Sequence, residues 1–207
     1  MYHGEKLNSI THLVGTVLSV AGSAILVTVA AMHHRPWLAI VSFVIYGITL
    51  ILLYTASTLY HSLQGRPKEI FQRLDHSAIY LLIAGSYTPF SLVTLHEHWG
   101  WGIFSASWIL AIFGILQEGR LSKGDERALS LILYLVMGWM IVLDAGPLLV
   151  ALPRTGLFLL AGGGMAYTLG IIFYVLDARM RHAHGIWHLF VLAGSMLQYL
   201  CVLVFLA

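Results

Sequence analysis

The chain has 207 residues, 59% hydrophobic and only 10% charged, with a formal net charge of +2 and a mean hydropathy of +0.85. Soluble domains carry about 25% charged residues, so the composition excludes a water-exposed globule; it also excludes disorder, which needs low hydrophobicity, and nucleic-acid binding, which needs a dense basic face. The single cysteine, Cys201, leaves no internal disulfide and no cysteine-rich metal site, and what remains is an all-α polytopic membrane protein.

The charged residues fall in clumps separated by long gaps. Residues 7–34 and 36–65 carry no Asp, Glu, Lys or Arg, further gaps run 76–96, 98–117, 155–176 and 182–207, and 128–153 is broken only by Asp144. A bilayer core roughly 30 Å thick takes about 20 apolar residues in a helix. The gaps therefore predict a seven-transmembrane helix bundle in one domain over 1–207, with spans near 9–31, 37–63, 75–95, 99–117, 127–151, 155–176 and 184–206. The first span ends in a cleavage-like run, Thr28-Val29-Ala30-Ala31. It is about twice the 7–15 residues of a signal-peptide core, so a retained helix is expected.

Orientation follows from Lys and Arg in alternate loops. Lys6, Arg66, Lys68, Arg73, Arg120, Lys123, Arg127, Arg179 and Arg181 fall on one side; Arg35 and Arg154 fall on the other. The first side is expected to be cytoplasmic, which puts the N-terminus inside and the C-terminus outside, in a cell inner (plasma) membrane.

Ionisable groups within spans are costly and are functional candidates by default. At the expected cytoplasmic side, span 2 ends Ser57-Thr58-Leu59-Tyr60-His61, span 3 opens Asp75-His76, and span 7 opens His184-Gly185-Ile186-Trp187-His188. Positions i and i+4 share a helix face, so Ser57 and His61 point one way and His184 and His188 point one way. Two imidazoles one turn apart can chelate a zinc ion, which takes nitrogen at about 2.0–2.1 Å. The histidine pair alone is weak among eleven histidines; its weight comes from topology, which brings His61, Asp75, His184 and His188 to a similar membrane depth. Each residue also admits a plainer reading. Histidines at helix ends bond headgroups or loop carbonyls, Asp75 can cap span 3 or pair with Arg73, and Ser57 can bond back to its own helix.

The chain resembles the bacterial hemolysin III family, part of the progestin and adiponectin receptor group and more distantly related to the alkaline ceramidases. The matching stretches are Asn8-Ser9-Ile10-Thr11-His12, Ser57-Thr58-Leu59-Tyr60-His61, the run 75–89 that opens Asp75-His76-Ser77 and closes Tyr87-Thr88-Pro89, Gly170-Ile171-Ile172-Phe173-Tyr174, and His184-Gly185-Ile186-Trp187-His188. The likeness runs from about Glu5 to the C-terminus, with no departure at these positions. The resemblance implies an intramembrane zinc ion near the cytoplasmic face, with His61, His184 and His188 as ligands, Asp75 holding the zinc-bound water and Ser57 beside it. His76 should point about 100° away from Asp75 and is left out.

Two functions follow as expectations. One is zinc-dependent hydrolysis of an amide or ester in a membrane lipid, influencing lipid homeostasis, with Asp75 as general base and Ser57 or the metal stabilising an oxyanion. The other is a non-catalytic receptor or sensor of membrane lipid state in which zinc cross-links helices. Either takes a membrane lipid or fatty-acid-like ligand. A cell-lysing pore is a third reading, against which stands the want of a continuous polar stripe along any span.

Other candidates are expected to be structural. Asp144 next to Gly146-Pro147 suggests a capped kink. His33-His34 and His96-Glu97-His98 read as solvated loops, His12 as a capping or helix-contact residue, and Gly162-Gly163-Gly164 as close helix packing. Trp37, Trp99, Trp101 and Trp187 fall where an aromatic belt would lie, with Trp108 and Trp139 deeper in the core.

Overall fold

The computed structural model describes residues 4–118, 120 and 123–207, and for 123–126 and 144 the main chain. The helices are α1 Lys6–Met32, α2 Trp37–Ser62, α3 Arg66–Pro89, α4 Gly100–Gln117, α5 Lys123–Trp139, α6 Ala145–Ala151, α7 Arg154–Val175 and α8 Ala183–Phe205. Among the described residues six helices are long and apolar enough to cross a membrane, and α5 with α6 forms a bent pair that, taken as one span, brings the number to seven. The protein is a multi-pass membrane protein. The start of α1, the end of α2 and the starts of α3 and α8 lie at one end of the bundle, where the site is built.

The helix boundaries follow local chemistry. Gly65 takes the left-handed φ of 65° and Arg66-Pro67 opens α3, where proline's missing N–H is no loss. Helix α3 therefore starts nine residues before the expected 75. The charge clump marked where the chain enters the bilayer, while the helix itself begins earlier, in water. Pro89 breaks the α-helical ladder at the other end, and the span finishes in a π-helical turn, Phe90–Thr94.

The fifth span is broken. α5 gives way to a 3-10 turn, Met140–Asp144, and the two halves are bent by 63°. Gly146-Pro147 supplies the flexible residue and the missing donor; the Asp144 side chain lies outside the described residues. Backbone groups freed at such a break need partners inside a membrane. Tyr87 of α3 provides them, its hydroxyl donating to the Gly138 carbonyl at 3.0 Å and accepting from the Ile141 N–H at 3.0 Å.

Lipid is as apolar as leucine, so close contact and interhelical hydrogen bonds hold such bundles together. Tyr54 of α2 donates to Ser195 of α8 at 2.8 Å, and Tyr167 of α7 meets the same hydroxyl at 2.7 Å. Gly15 lets α1 lie against the Tyr54 ring. The core gathers Leu26, Phe43, Tyr46, Leu50, Tyr54 and Val202, while Val17, Ile109, Val142, Leu149, Phe158 and Val204 face outward. In the glycine run only Gly163 meets the packing expectation, since a Cβ there would stand 2.7 Å from Gln198 Cγ and 3.1 Å from the Gly194 carbonyl; around Gly164 there is open space. Trp37, Trp99 and Trp101 are exposed, but Trp187 is buried. It faces the interior because it shares the inward face of α8 with His184 and His188.

Candidate metal centre

His61 stands in the last turn of α2, and His184 and His188 in the first two turns of α8. One ligand nitrogen from each lies within 4.8 Å of the others. The ring centroids are 5.1 Å apart for His61 and His184, 4.9 Å for His61 and His188, and 4.8 Å for His184 and His188. His61 and His188 are buried, and His184 is partly so.

Each of the three rings is held from behind by its Nδ1. His61 Nδ1 is 2.7 Å from Glu5 Oε2. His184 Nδ1 is 3.4 Å from Asp177 Oδ2. His188 Nδ1 is 3.2 Å from the Asn8 carbonyl oxygen and 3.4 Å from Thr11 Oγ1, a hydroxyl that already donates to backbone carbonyls. Carboxylates and carbonyls accept, so each Nδ1 is the protonated nitrogen and each Nε2 carries the free lone pair. His61 Nε2 is buried with no hydrogen-bond partner. Two buried imidazoles and one partly buried, each with its Nδ1 committed and each able to offer a nitrogen within 4.8 Å of the others, form a donor set that fits a single metal ion, with the outer shell such sites normally have.

The outer shell extends across the bundle. Glu5, just before α1, also accepts from Asn8 Nδ2 at 2.8 Å and Lys68 Nζ at 3.1 Å. The His61 hydrogen bond holds the Glu5 carboxyl well below the usual carboxylate range, against the opposing pull of partial burial. Asp177, in the α7–α8 connection, pairs at 3.2 Å with Arg127 of α5. The Arg127 guanidinium also bonds the Tyr174 carbonyl and stacks over the Tyr174 ring at 4.4 Å.

Ser57 and Asp75 line the same cavity as His184 and His188. Ser57 is fully buried and its Oγ has no hydrogen-bond partner, so it does not bond back to its helix. Asp75 is buried in α3 well beyond the first turn and is no cap; no ion pair joins it to Arg73 among the described residues. His76 instead approaches Glu118 at 3.5 Å, outside the histidine set. His12 stacks face to face on His188, ring centroids 3.6 Å apart and planes within 9°. Among the loop histidines, His33 Nδ1 lies 3.2 Å from the Ala207 carbonyl oxygen, and exposed His96 pairs with exposed Glu97 at 3.7 Å.

The cavity holds about 100 Å³ and is walled by apolar side chains such as Leu82, Leu135, Ile171 and Trp187. A second, of about 220 Å³, runs on toward Leu148, Leu157 and Leu160, sharing Tyr87, Gly138, Trp139, Gly164 and Gln198 with the first. Its wall includes the lipid-facing Val142 and Leu149. Trp139, expected in the core, is instead partly exposed on this wall, with its indole N–H 3.0 Å from Thr168 Oγ1. The first cavity thus touches His184 and His188, and the second shares a wall with it and reaches the outward-facing Val142 and Leu149.

A sequence model of the family described as "Haemolysin-III related" matches residues 1–199. The chain belongs to this family. It is 43% identical over 200 residues to "Hemolysin-3" of Bacillus cereus, covering 96% of this chain and 90% of that one. It is 42% identical to the "Hemolysin-3 homolog" of Bacillus subtilis (strain 168), covering 96% and 92%. The human "Monocyte to macrophage differentiation factor" is 31% identical over 208 residues, covering 94% and 81%. In this haemolysin-III-related chain, Glu5, Thr11, Asp177 and Arg127 are the site residues that spacing alone did not single out. Thr11 stood within the matching stretch Asn8-Ser9-Ile10-Thr11-His12 and Glu5 where the likeness begins, whereas Asp177 and Arg127 left no signal.

Proposed function

We propose that the chain is a zinc-binding membrane hydrolase that cleaves an amide or ester bond of a membrane lipid, with its site near the cytoplasmic face of the cell membrane. The observation that carries this reading is the meeting of two features: three histidines whose ligand nitrogens converge within 4.8 Å, and an apolar cavity lined by His184, His188, Asp75 and Ser57. A zinc ion held by His61, His184 and His188 supplies Lewis acidity and lowers the pKa of a water to about 7.

The chain's own groups do the rest. Asp75 takes a proton at its carboxylate as water adds to the acyl carbon, and returns it to the leaving nitrogen or oxygen as the carbon–heteroatom bond breaks. Ser57 Oγ–H stands beside the Asp75 carboxyl without a close hydrogen bond, and once Asp75 has taken the proton the hydroxyl can donate to the carbonyl oxygen as negative charge builds there. The products are a fatty acid and an amine or alcohol. The nine Lys and Arg on the site's side, against two on the other, support the cytoplasmic placement.

The test is metal analysis of detergent-purified protein beside His184→Ala/His188→Ala, followed by hydrolysis assays on lipid amides and esters with Asp75→Ala as control. About one zinc per chain, lost in the double variant, with product that depends on Asp75, is the expected result. Stoichiometric zinc with no product from any lipid class would leave the second reading, a lipid sensor with a structural metal. That reading draws support from Glu5, which joins the starts of α1 and α3 to the end of α2. The names of the Bacillus relatives suggest a pore, but the cavity runs into apolar walls at Leu148 and Leu160.

A further inference from the structure

The histidine set, Asp75 and Ser57 leave two polar side chains of the cavity with buried, unpartnered atoms, His12 beside the site and Gln198 at the far end. His12 of α1 is 3% exposed and lines the cavity together with Ser57, Asp75 and His188. Both its ring nitrogens are buried with no hydrogen-bond partner. Its neighbours make only ring contacts: His188 stacked at 3.6 Å, and Tyr54 edge-on at 5.0 Å.

His12 does not complete the metal set. Imidazole lone pairs lie in the ring plane, and two rings stacked 3.6 Å apart with planes within 9° keep theirs in separate, nearly parallel planes, so the two cannot both point at one ion. Nor is packing a sufficient reason for an imidazole here. A neutral ring always carries one N–H and one bare nitrogen, and both go unpaired at a cost in a dry interior; phenylalanine would fill the same space without that cost. The pattern is that of a binding group whose partner arrives with a ligand.

We propose that His12 binds the polar head of the lipid that fills the cavity, its ring N–H donating a hydrogen bond to a hydroxyl or amide oxygen of that head. This rests on the lipid reading above and narrows the ligand to an amphiphile with an oxygen-bearing head and an apolar chain. Asn8 and His12 lie one turn apart on α1 and face the same way, so one helix face positions His188 through the Asn8 carbonyl and meets the ligand through His12. From His188 to Gln198, where the two cavities meet, α8 rises roughly 15 Å, which gives the chain an apolar path away from the head.

The experiment uses zinc-loaded wild type, His12→Phe and His12→Gln in detergent, titrated with N-palmitoylethanolamine and with monopalmitoylglycerol. Binding is followed by the fluorescence of Trp139 and Trp187 on the cavity wall, and metal content is measured on the same samples. All three proteins are expected to keep their metal. His12→Phe, which preserves the stack and removes the donor, should lose tenfold or more in affinity, and His12→Gln, which restores an N–H, should recover part of it. A His12→Phe protein that binds as wild type with full metal overturns the proposal and leaves buried water as the partner of His12. Loss of metal together with lipid in both variants also overturns it, making His12 a support for His188. Wild type that holds its metal and takes neither probe removes the lipid reading itself, and this proposal with it.

Discussion

Glu5 and His61 stand 2.7 Å apart, carboxylate to Nδ1, although 56 residues separate them in the chain. The contact sets the tautomer of His61 and turns its bare Nε2 inward, so Glu5 contributes to metal affinity without touching the metal. Glu5→Gln should weaken zinc binding by about 10- to 100-fold, measured by competition against a chromogenic chelator. Unchanged affinity would remove Glu5 from the site. In metal-free protein the sign of the pH effect is also set. A carboxyl held below its ordinary value of 4.5 stabilises the fold fully above that value and loses the contribution as pH falls below it. The melting difference between wild type and Glu5→Gln should therefore be constant near neutrality and close in acid.

Asp177 plays the corresponding part for His184, and Arg127 holds Asp177 in turn. Asp177→Ala should cost zinc affinity on the same scale as the Glu5 change. Arg127→Ala should cost less, because the guanidinium is 38% exposed and ion pairs open to water contribute only about 0–1 kcal/mol. Equal losses in the two variants would mean that Arg127 acts by holding α5 in place rather than through Asp177.

Ser57 separates the catalytic reading from a structural one. Its hydroxyl makes no close hydrogen bond and only stands near the Asp75 carboxyl, so Ser57→Ala should change stability by no more than about 1 kcal/mol. If Ser57 donates to a developing oxyanion, the same variant should slow lipid hydrolysis by about 10²- to 10³-fold with zinc retained. Turnover equal to wild type would exclude Ser57 from the reaction.

Much of this arrangement was legible in the sequence because it depends on short spacings and charge bias. The one-turn pairs Ser57/His61 and His184/His188 fix which side chains share a face, and the loop charges place them at one end of the bundle. The outer shell was not legible. Asp177 reaches His184 only because the connection turns back at His182, whose left-handed φ of 65° no local pattern announces. Helix α3 begins nine residues before the span expected from 75, because loss of charge reports where a span can begin whereas Gly65 and Pro67 report the helix start. Trp187 read as a belt residue from its place near a span end, while its three-residue offset from His184 puts it on that histidine's face of α8, turned inward. His12 had the right residue type in a matching stretch, but its lack of partners is a property of packing between α1, α2 and α8.

The glycine run in α7 gives a direct test of the cavity. Gly163 and Gly164 are adjacent in sequence and opposite in environment: a side chain at 163 meets α8, where the Gly194 carbonyl lies 3.1 Å from a Cβ, whereas at 164 it enters the space shared by the two cavities. Leucine also favours the helix over glycine by nearly 1 kcal/mol. Gly164→Leu should therefore fold at least as stably as wild type, keep its zinc, and lose lipid binding and hydrolysis because the leucine occupies the path of the chain. Gly163→Leu should instead lower the melting temperature by forcing α7 from α8. Full lipid turnover in a stable Gly164→Leu protein would show that the substrate reaches the histidines by another route.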